Sequence, residues 1–258
     1  MTVIAVLADP PRPGVGYPTL PETSPLSQAE ASDLYEAVLR DTVRAVDRSG
    51  GDLLVNYPTE EMLPEPARGG DPPEAELRAI VADTLGSVED VRFEPQVGSN
   101  YSARAGNTAT HLLREEDAAS VAIVEPTTPF LTRQVIDAAA MKLRSSGAVL
   151  GPARRGRCYY AGFTEPVDFT DAFAGASVRT LAERTREAGE DVEFVRSLPA
   201  IRTGEDLLDV VPLLRARFAA ERVVPEHTAT FVHEHGLETR EADGDLELVR
   251  DERVRGDS

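Results

Sequence analysis

Three arginines lie close together in one short stretch of an otherwise acidic chain. Arg154, Arg155 and Arg157 follow Gly151 and Pro152 and precede a pair of tyrosines. Guanidinium groups bind anions such as phosphate through two parallel hydrogen bonds. A turn that contains Gly and Pro also lets the backbone approach a ligand closely. The pattern therefore suggests the hypothesis of an anion site in this loop, although we favour surface charge that balances nearby acids.

Tyrosine and histidine side chains suggest further chemistry, each with a plainer alternative. Tyr159 and Tyr160 follow the arginines and can stack on a base or be buried residues of a strand. His227, His233 and His235 are close together near the C-terminus. Positions two residues apart do not share a face of a helix. We therefore favour exposed polar residues over a metal site for the histidines.

The charge of the chain is strongly acidic. Its formal net charge is −18, and Lys142 is the one lysine among 27 basic residues. Molar salt shortens the Debye length to about 3 Å, and an acidic surface keeps a protein in solution under those conditions. We expect an extremely halophilic, archaeal source. A dedicated acidic binding surface is the alternative, although the acids are spread along the sequence.

The same composition excludes several classes of protein. A net charge of −18 argues against a nucleic-acid partner, since phosphate binding requires a positive surface. The single cysteine, Cys158, excludes an intramolecular disulfide and a zinc–thiolate cluster. No apolar run has the length of a membrane span, and the N-terminus lacks the basic region of a signal peptide. We expect no membrane partner and a cytoplasmic location.

Short apolar runs alternate with helical patterns along most of the chain. This alternation predicts an α/β fold of three layers, with a mostly parallel sheet between helices on both faces. Ligands bind at the carboxyl ends of such strands, so the loops after Ala8, Val124 and Leu150 are expected at one edge. Ser27 and Glu30 predict a capping box at the first long helix. The predicted strands are 2–8, 52–57, 91–95, 120–124, 148–150, 159–163 and 192–197, and the predicted helices are 27–49, 74–85, 108–113, 132–144, 178–187 and 204–218.

The C-terminal part of the chain differs from the rest. Residues 1–218 carry the strand and helix patterns and are predicted to form the main domain. Residues 219–258 are predicted to add a helix and a charged tail. After Glu238 the sequence is charged and poor in apolar residues, so we expect this tail to be frayed.

An ordered set of short motifs resembles a known family. The motifs are Pro13-Gly14, Leu26-Ser27, Gln96-x-Gly98, the strand 121–124 followed by Pro129, residues 149–152, Tyr159-Tyr160-x-Gly162, Ser177-Val178, Leu198-Pro199 and Thr203-x-Glu205-Asp206-Leu207. This series is similar to the rSAM/selenodomain-associated transferases, a glycosyltransferase-A-like family related to the phospholactate guanylyltransferases. The resemblance covers most of residues 2–218. It implies the fold of the nucleotide-diphosphosugar transferases, with a nucleotide bound at the strand edge.

The resemblance also implies site residues. The nucleotide-binding residues that it implies are Ala8, Pro13, Gly14, Gln96, Gly98, Arg104, Thr127, Gly151, Pro152, Arg154, Gly156 and Tyr159. It implies Mg²⁺ or Mn²⁺ as well, but the expected ligands are missing, since Thr127 and Arg202 stand where relatives carry aspartate. Glu125 can substitute as a metal ligand, with a solvated acid as the alternative, and Asp168 and Asp171 are weaker candidates.

Two functions are consistent with these features. The first is a transferase that depends on a nucleotide or a nucleotide sugar and transfers a glycosyl or nucleotidyl group. The second is a degenerate member that binds a small anionic ligand or a protein partner without turnover. We predict the first and keep the second as the alternative, which the missing acidic ligands support, and no residue is assigned as catalytic.

Overall fold

A central β-sheet forms the middle layer of the structure, which is a computed structural model. It describes residues 1–242 and 244–251, and within this part of the chain seven strands form the sheet. These strands are β1 (Thr2–Leu7), β2 (Asp52–Tyr57), β3 (Arg92–Pro95), β4 (Ser120–Val124), β5 (Ala148–Pro152), β6 (Cys158–Phe163) and β7 (Val192–Phe194). Their order is β3-β2-β1-β4-β6-β5-β7. All neighbours pair in parallel except β6, which is antiparallel to β4 and β5.

Helices cover both faces of the sheet. In chain order they are α1 (Leu20–Thr23), α2 (Gln28–Asp47), α3 (Pro73–Leu85), α4 (Tyr101–Arg114), α5 (Arg133–Lys142), α6 (Ser177–Glu187), α7 (Gly204–Ala219) and α8 (Glu226–Glu234). The buried residues of α4 and α6 belong to one core, and those of α2, α3, α5, α7 and α8 belong to the other. Among the described residues, no helix is long and apolar enough to cross a bilayer.

Strand β1 shows how the two cores are separated. Its six residues are all buried. Ile4 and Val6 pack into the core that contains α2, whereas Ala5 and Leu7 pack into the core that contains α4. Alternate residues of a strand point to opposite faces, and a parallel strand covered on both sides is apolar throughout. The predicted three-layer α/β architecture is therefore confirmed.

Several predicted boundaries are confirmed exactly. Strands β2 and β4 span the residues that the sequence predicted. The capping box at the start of α2 is also present. The Glu30 N–H donates to Ser27 Oγ at 3.3 Å, and the Ser27 N–H donates to the Glu30 carboxylate at 2.7 Å. These bonds satisfy two donors that the first turn of a helix would leave unpaired.

Most predicted elements differ from the observed ones by one or two residues at an end, and two differ by more. Helix α4 contains the predicted helical residues 108–113 and begins earlier, at Tyr101, where Asn100 caps it by accepting a bond from the Ala103 N–H at 2.9 Å. Strand β7 ends at Phe194, before the predicted limit at residue 197.

The C-terminal segment is ordered where the sequence predicted a frayed tail. Two strands, β8 (Leu237–Ala242) and β9 (Asp245–Arg250), pair as an antiparallel hairpin. Leu237 is buried in the core, and Arg250 pairs with Glu30 of α2 at 2.6 Å. These contacts anchor the charged strands to the body of the protein. The predicted division at residue 218 stays a prediction, and residues 252–258 of the predicted tail lie outside the described residues.

Candidate functional site

A cleft opens where the parallel strands β1 and β4 reach their carboxyl ends. The space between its lining atoms, together with adjoining open solvent, is about 310 Å³. Strand β1 contributes Leu7 and the residues after it, and the loop after β4 contributes Glu125 and Thr127. The lining is completed by residues of the first loop, α2, the loop after β3 and α4. The full lining is Leu7, Asp9, Gly16, Tyr35, Gln96, Tyr101, Arg104, Glu125 and Thr127.

Asp9 places a half-buried carboxyl in this cleft. It is the second residue after β1, and its backbone N–H donates to Tyr35 Oη at 2.8 Å. Burial raises the pKa of Asp9 from 3.8 to about 6, Arg104 lowers it and Glu125 raises it. The carboxyl therefore changes its charge close to neutral pH, which is a property of groups that move protons.

Arg104 lies in the first turn of α4 and lines the same cleft. Its Nε atom is buried and has no hydrogen-bond partner within the described part of the chain. Gly98 lets the preceding loop approach α4, since a Cβ at this position would come within 2.8 Å of the Ala103 and Arg104 backbone. Gly98 also has a φ of 143°, which other residues rarely adopt. The requirement for glycine here is therefore explained by packing, without a ligand.

Gln96 holds two strand ends together beneath the cleft. Its side-chain Nε2 donates to the Asn56 carbonyl at 2.7 Å, and its backbone N–H donates to the Tyr57 carbonyl at 2.7 Å. Asn56 in turn accepts a bond from Thr108 of α4 at 3.0 Å. These buried bonds fix the position of α4, and with it Arg104, relative to β2.

Glu125 and Arg202 form an ion pair at the rim of the cleft. The backbone carries Arg202 there, because the Ile201 N–H donates to the Thr127 carbonyl at 2.6 Å. The Arg202 N–H donates to Asp206 of α7 at 2.9 Å. The negative charge of Glu125 raises the pKa of Arg202, burial lowers it, and the nearby Tyr101 and Tyr17 raise it.

The residues present do not fit the divalent metal that the resemblance implies. Among the described residues, no group of three or more His, Cys, Asp or Glu side chains is arranged to hold an ion. The carboxylate of Glu125 is already paired with Arg202. Thr127 supplies a hydroxyl where a carboxylate is expected. Mg²⁺ and Mn²⁺ are usually held by one or two carboxylates. Asp9 is the one carboxyl of the lining that has no ion pair among the described residues, and burial favours its protonated form. The lining therefore fits a divalent metal poorly, and no step of the chemistry below passes through one.

The three clustered arginines lie against α7, where each has an acidic partner. Arg154 pairs with Asp209 at 3.1 Å, and Arg155 pairs with Glu205. Arg157 pairs with the buried Asp206 at 2.7 Å. These contacts match the balancing of nearby acids that the sequence left open as an alternative. Arg154 also lines a separate, open groove that includes Leu198 and Pro212.

The other residues of the arginine loop have structural surroundings. Tyr159 and Tyr160 are 1% and 0% exposed, so stacking on a base is wrong for both rings and the buried-strand alternative describes them. The Tyr159 hydroxyl donates to the Arg196 carbonyl at 2.8 Å. Its ring lies against Gly151, where an added Cβ would come within 2.6 Å of it. Pro152 ends β5, and Gly156 forms the turn with a φ of 70°.

The first loop contains the remaining predicted residues. Ala8 is buried, and its N–H donates to the Asn56 carbonyl at 3.0 Å. Pro13 and Gly14 lie in an exposed turn outside the cleft lining. Arg12, which the sequence analysis did not select, is buried and donates to Glu60 at 3.1 Å and to Glu76 at 2.6 Å. It therefore joins this loop to α3 and to the segment after β2.

The cleft thus brings together Gln96, Arg104, Thr127 and Glu125 of the predicted site residues. It also contains Asp9, Tyr35 and Tyr101, which the sequence analysis did not select. Asp9 had a usable signal, since it is the first acid after an apolar strand that ends at a predicted binding edge. The two tyrosines had none, because their helices meet only in the folded chain.

Comparisons with known proteins identify the fold. No family model matches the sequence, and no curated protein matches it. A protein of Desulfovibrio desulfuricans G20, provisionally described as a nucleotide-diphospho-sugar transferase, is similar with a TM-score of 0.70. It is 21% identical, over 91% of this chain and 94% of that chain.

Two further solved structures are similar at lower TM-scores. A 4-diphosphocytidyl-2C-methyl-D-erythritol synthase of Anaerococcus prevotii DSM 20548 has a TM-score of 0.48 and 14% identity, over 83% of this chain and 96% of its own. A cytidylyltransferase of Leptospira borgpetersenii serovar Hardjo-bovis has a TM-score of 0.48 and 10% identity, over 90% and 93%. The narrower likeness to rSAM-associated transferases stays a prediction. The first of these structures is enough to show that the chain has a nucleotide-diphospho-sugar transferase-like fold.

Proposed function

We propose that the protein binds a nucleotide or a nucleotide sugar in the cleft and transfers a nucleotidyl or glycosyl group from it. The observation that carries this proposal is the position of the cleft at the carboxyl ends of β1 and β4. Ligands of open α/β sheets bind at this edge. The similar protein of Desulfovibrio desulfuricans G20, described as a nucleotide-diphospho-sugar transferase, supports the same ligand class.

The charged groups of the cleft are suited to such a transfer. In the reaction we propose, an acceptor hydroxyl oxygen forms the new bond to the transferred group. The bond from that group to the donor diphosphate breaks, and the diphosphate leaves with the electron pair. Asp9, with its pKa raised to about 6, accepts the hydroxyl proton. Arg104 balances the negative charge that develops on the leaving diphosphate.

The predicted nucleotide contacts divide into two groups under this proposal. Gln96, Arg104 and Thr127 line the cleft and are proposed to lie nearest the nucleotide. Gly98 shapes the loop that positions Arg104. The predicted residues of the first loop and of the arginine loop lie outside the lining. Contacts between them and a nucleotide stay predictions, which the same binding experiments can test.

A second function, binding without turnover, is supported by a specific observation. Glu125 is paired with Arg202, and Thr127 stands where the resemblance implies a carboxylate, so these two positions offer no free acid for a metal. In this case the cleft holds a small anionic ligand or a protein partner and catalyses nothing.

A thermal-shift screen in molar KCl tests the proposal. Nucleoside triphosphates and nucleotide sugars are compared with the corresponding nucleosides, with Mn²⁺ and with EDTA. A ligand that binds the folded state raises the melting temperature with its concentration. We expect stabilisation by at least one phosphorylated compound and by none of the nucleosides. A flat response across the panel would refute the proposal.

Turnover is then measured with the compound that binds. Release of pyrophosphate or of a nucleoside diphosphate in the presence of candidate acceptors supports the transferase. Asp9→Asn is the matched variant, because it keeps the shape of the side chain and removes the proton acceptor. Binding without release in either protein favours the non-catalytic function.

A further inference from the structure

Two arginines reach the cleft from different elements. Arg104 belongs to the lining itself, in the first turn of α4. Arg202 precedes α7 and is bonded to Glu125, another lining residue. Helices α4 and α7 contribute to the cores on opposite faces of the sheet. The cleft is therefore flanked by guanidinium groups that two separate parts of the fold hold in place.

We propose that Arg104 and Arg202 hold the diphosphate of the nucleotide directly, in place of a divalent cation. This inference rests on the proposed function, since it assigns the part of the ligand that the cleft binds. It replaces metal coordination with guanidinium–phosphate hydrogen bonds, which are charge-assisted and bidentate.

The side chain of Arg104 has an unpaired hydrogen-bond donor. Its Nε atom is buried, and the described residues offer it no acceptor. A buried N–H without a partner lowers stability unless a ligand or water accepts from it. The amino end of α4 lies at the same place and adds a partial positive charge. A phosphate oxygen is the acceptor that this combination favours.

The guanidinium of Arg202 can exchange its partner Glu125 for a ligand. The backbone of Arg202 is fixed by Asp206, which is 1% exposed, and the adjoining Ile201 is bonded to Thr127. Its side chain is 45% exposed and has Glu125 as its carboxylate partner. Glu125 is 20% exposed, so this pair is partly shielded from solvent. An incoming diphosphate can take the place of Glu125 because it offers Arg202 a bidentate, charge-assisted partner.

The residues around Glu125 are poorly suited to a divalent metal. Arg202 stands where the resemblance implies an aspartate, and Thr127 stands where it implies another. A cation placed at Glu125 would compete with the guanidinium that is already bonded there. The charge that a metal would bring is thus supplied by the chain.

Glu125→Gln gives opposite results under the two explanations. If Glu125 is the partner that a diphosphate displaces, its removal frees Arg202 and tightens nucleotide binding without metal. If Glu125 is a metal ligand, its removal weakens binding that depends on Mn²⁺. Isothermal titration calorimetry in molar KCl, with EDTA or with Mn²⁺, measures both effects.

The arginines are tested in the same experiment. We expect Arg104→Gln and Arg202→Gln each to weaken binding in EDTA roughly tenfold, as for loss of a charged hydrogen bond. The double variant Glu125→Gln/Arg202→Gln removes both charges, so it tests Arg202 without an unpaired carboxylate. Arg186→Gln is the control, because Arg186 is an exposed arginine of α6 that pairs with Asp191 outside the cleft. Circular dichroism establishes that each variant is folded.

The probes are a nucleoside triphosphate, a nucleotide sugar and inorganic pyrophosphate. Binding in EDTA that is tighter in Glu125→Gln and weaker in both arginine variants supports the inference. Equal binding of pyrophosphate supports it too and assigns the affinity to the diphosphate alone. Binding that requires Mn²⁺ and is lost in Glu125→Gln overturns the inference and leaves the proposed function intact. No binding of any nucleotide compound, with or without Mn²⁺, overturns both.

Discussion

Asp9 is the residue whose ionisation sets the charge of the cleft near neutral pH. It lies with Arg104 and Glu125 in the lining, and burial raises its pKa to about 6. Tyr35 and Tyr101 are the other titratable groups that line this space. When Asp9 is ionised, a negative charge lies beside the proposed diphosphate. When it is protonated, the two arginines outnumber the remaining acid.

We expect Asp9→Asn to stabilise the protein at neutral pH. The native state holds a proton that the unfolded chain releases between pH 3.8 and about 6, so the free energy of unfolding falls as the pH rises through this window. The amide has no charge to desolvate, and the gain above the window is on the order of 2 kcal/mol. Urea unfolding in molar KCl, at one pH below 3.8 and one above 6, measures it.

Asp90→Asn is the control for this prediction. Asp90 is an exposed acid in the loop before β3 and is not part of the cleft lining. The free energy of unfolding of Asp90→Asn is expected to change with pH as that of the unmodified protein does. The account of Asp9 is refuted by an Asp9→Asn variant whose stability changes with pH just as that of the unmodified protein does.

At the scale of elements, α8 is fixed to the fold by one buried side chain of α2. Asp41 accepts bonds from the His227 N–H at 3.1 Å, from the Thr228 N–H at 2.9 Å and from Thr228 Oγ1 at 2.7 Å. The residue before α8 is Pro225, which provides no side-chain cap. Asp41 therefore caps α8 from another helix, where a carboxylate also interacts favourably with the helix dipole.

We expect Asp41→Ala to destabilise the protein and to loosen α8. The change leaves buried donors without an acceptor, at a cost of about 2–4 kcal/mol in the free energy of unfolding. Asp41→Asn keeps an acceptor oxygen, so we expect it to lower the free energy of unfolding by less. Urea unfolding gives the stability, and amide hydrogen exchange of residues 228–234 reports on α8. Asp33 is an exposed acid of the same helix, and Asp33→Ala is the control. An equal loss of stability in both alanine variants would contradict the role of Asp41.

The sequence predicted those elements whose signals are local. Strand β4 is a continuous apolar run, and the start of α2 carries a capping box, so both were placed exactly. The hairpin β8–β9 was missed because its strands are charged and, apart from Leu237, none of their residues is fully buried, so the apolar signal is weak. Its stability comes from contacts with distant helices, such as that of Arg250 with Glu30, which no local pattern records.

The same reasoning explains the candidate site. The edge of the sheet was predictable because parallel strands end together, and Glu125 and Thr127 were placed there. The Glu125–Arg202 pair joins residues 77 positions apart and depends on how the segment before α7 crosses the loop after β4. The arginine loop attracted attention by composition, but its partners on α7 could be found only from the folded chain.

At the scale of the whole molecule, acidic charge exceeds basic charge by a wide margin. The chain has 45 acidic residues and 27 basic residues, and nearly all of the basic ones are arginine. Many of the arginines are in ion pairs, including Arg40 with Asp83 and Arg78 with Glu74. The unpaired acids repel one another across the surface. We propose that the fold depends on salt to screen this repulsion, as in a halophilic protein.

This proposal predicts that the melting temperature rises with KCl concentration, steeply from tens of millimolar to molar. The Debye length shortens from about 10 Å at 0.1 M to about 3 Å at 1 M, so repulsion between separated acids disappears while contact pairs persist. Glu89→Lys/Asp90→Lys, at two exposed positions, moves the net charge toward neutral and should flatten the dependence. Glu89→Gln/Asp90→Asn removes two negative charges without adding positive ones. The salt dependence of its melting temperature should lie between that of the lysine variant and that of the unmodified protein. A melting temperature that is unchanged or lower in molar KCl contradicts the proposal, because screening can only weaken like-charge repulsion.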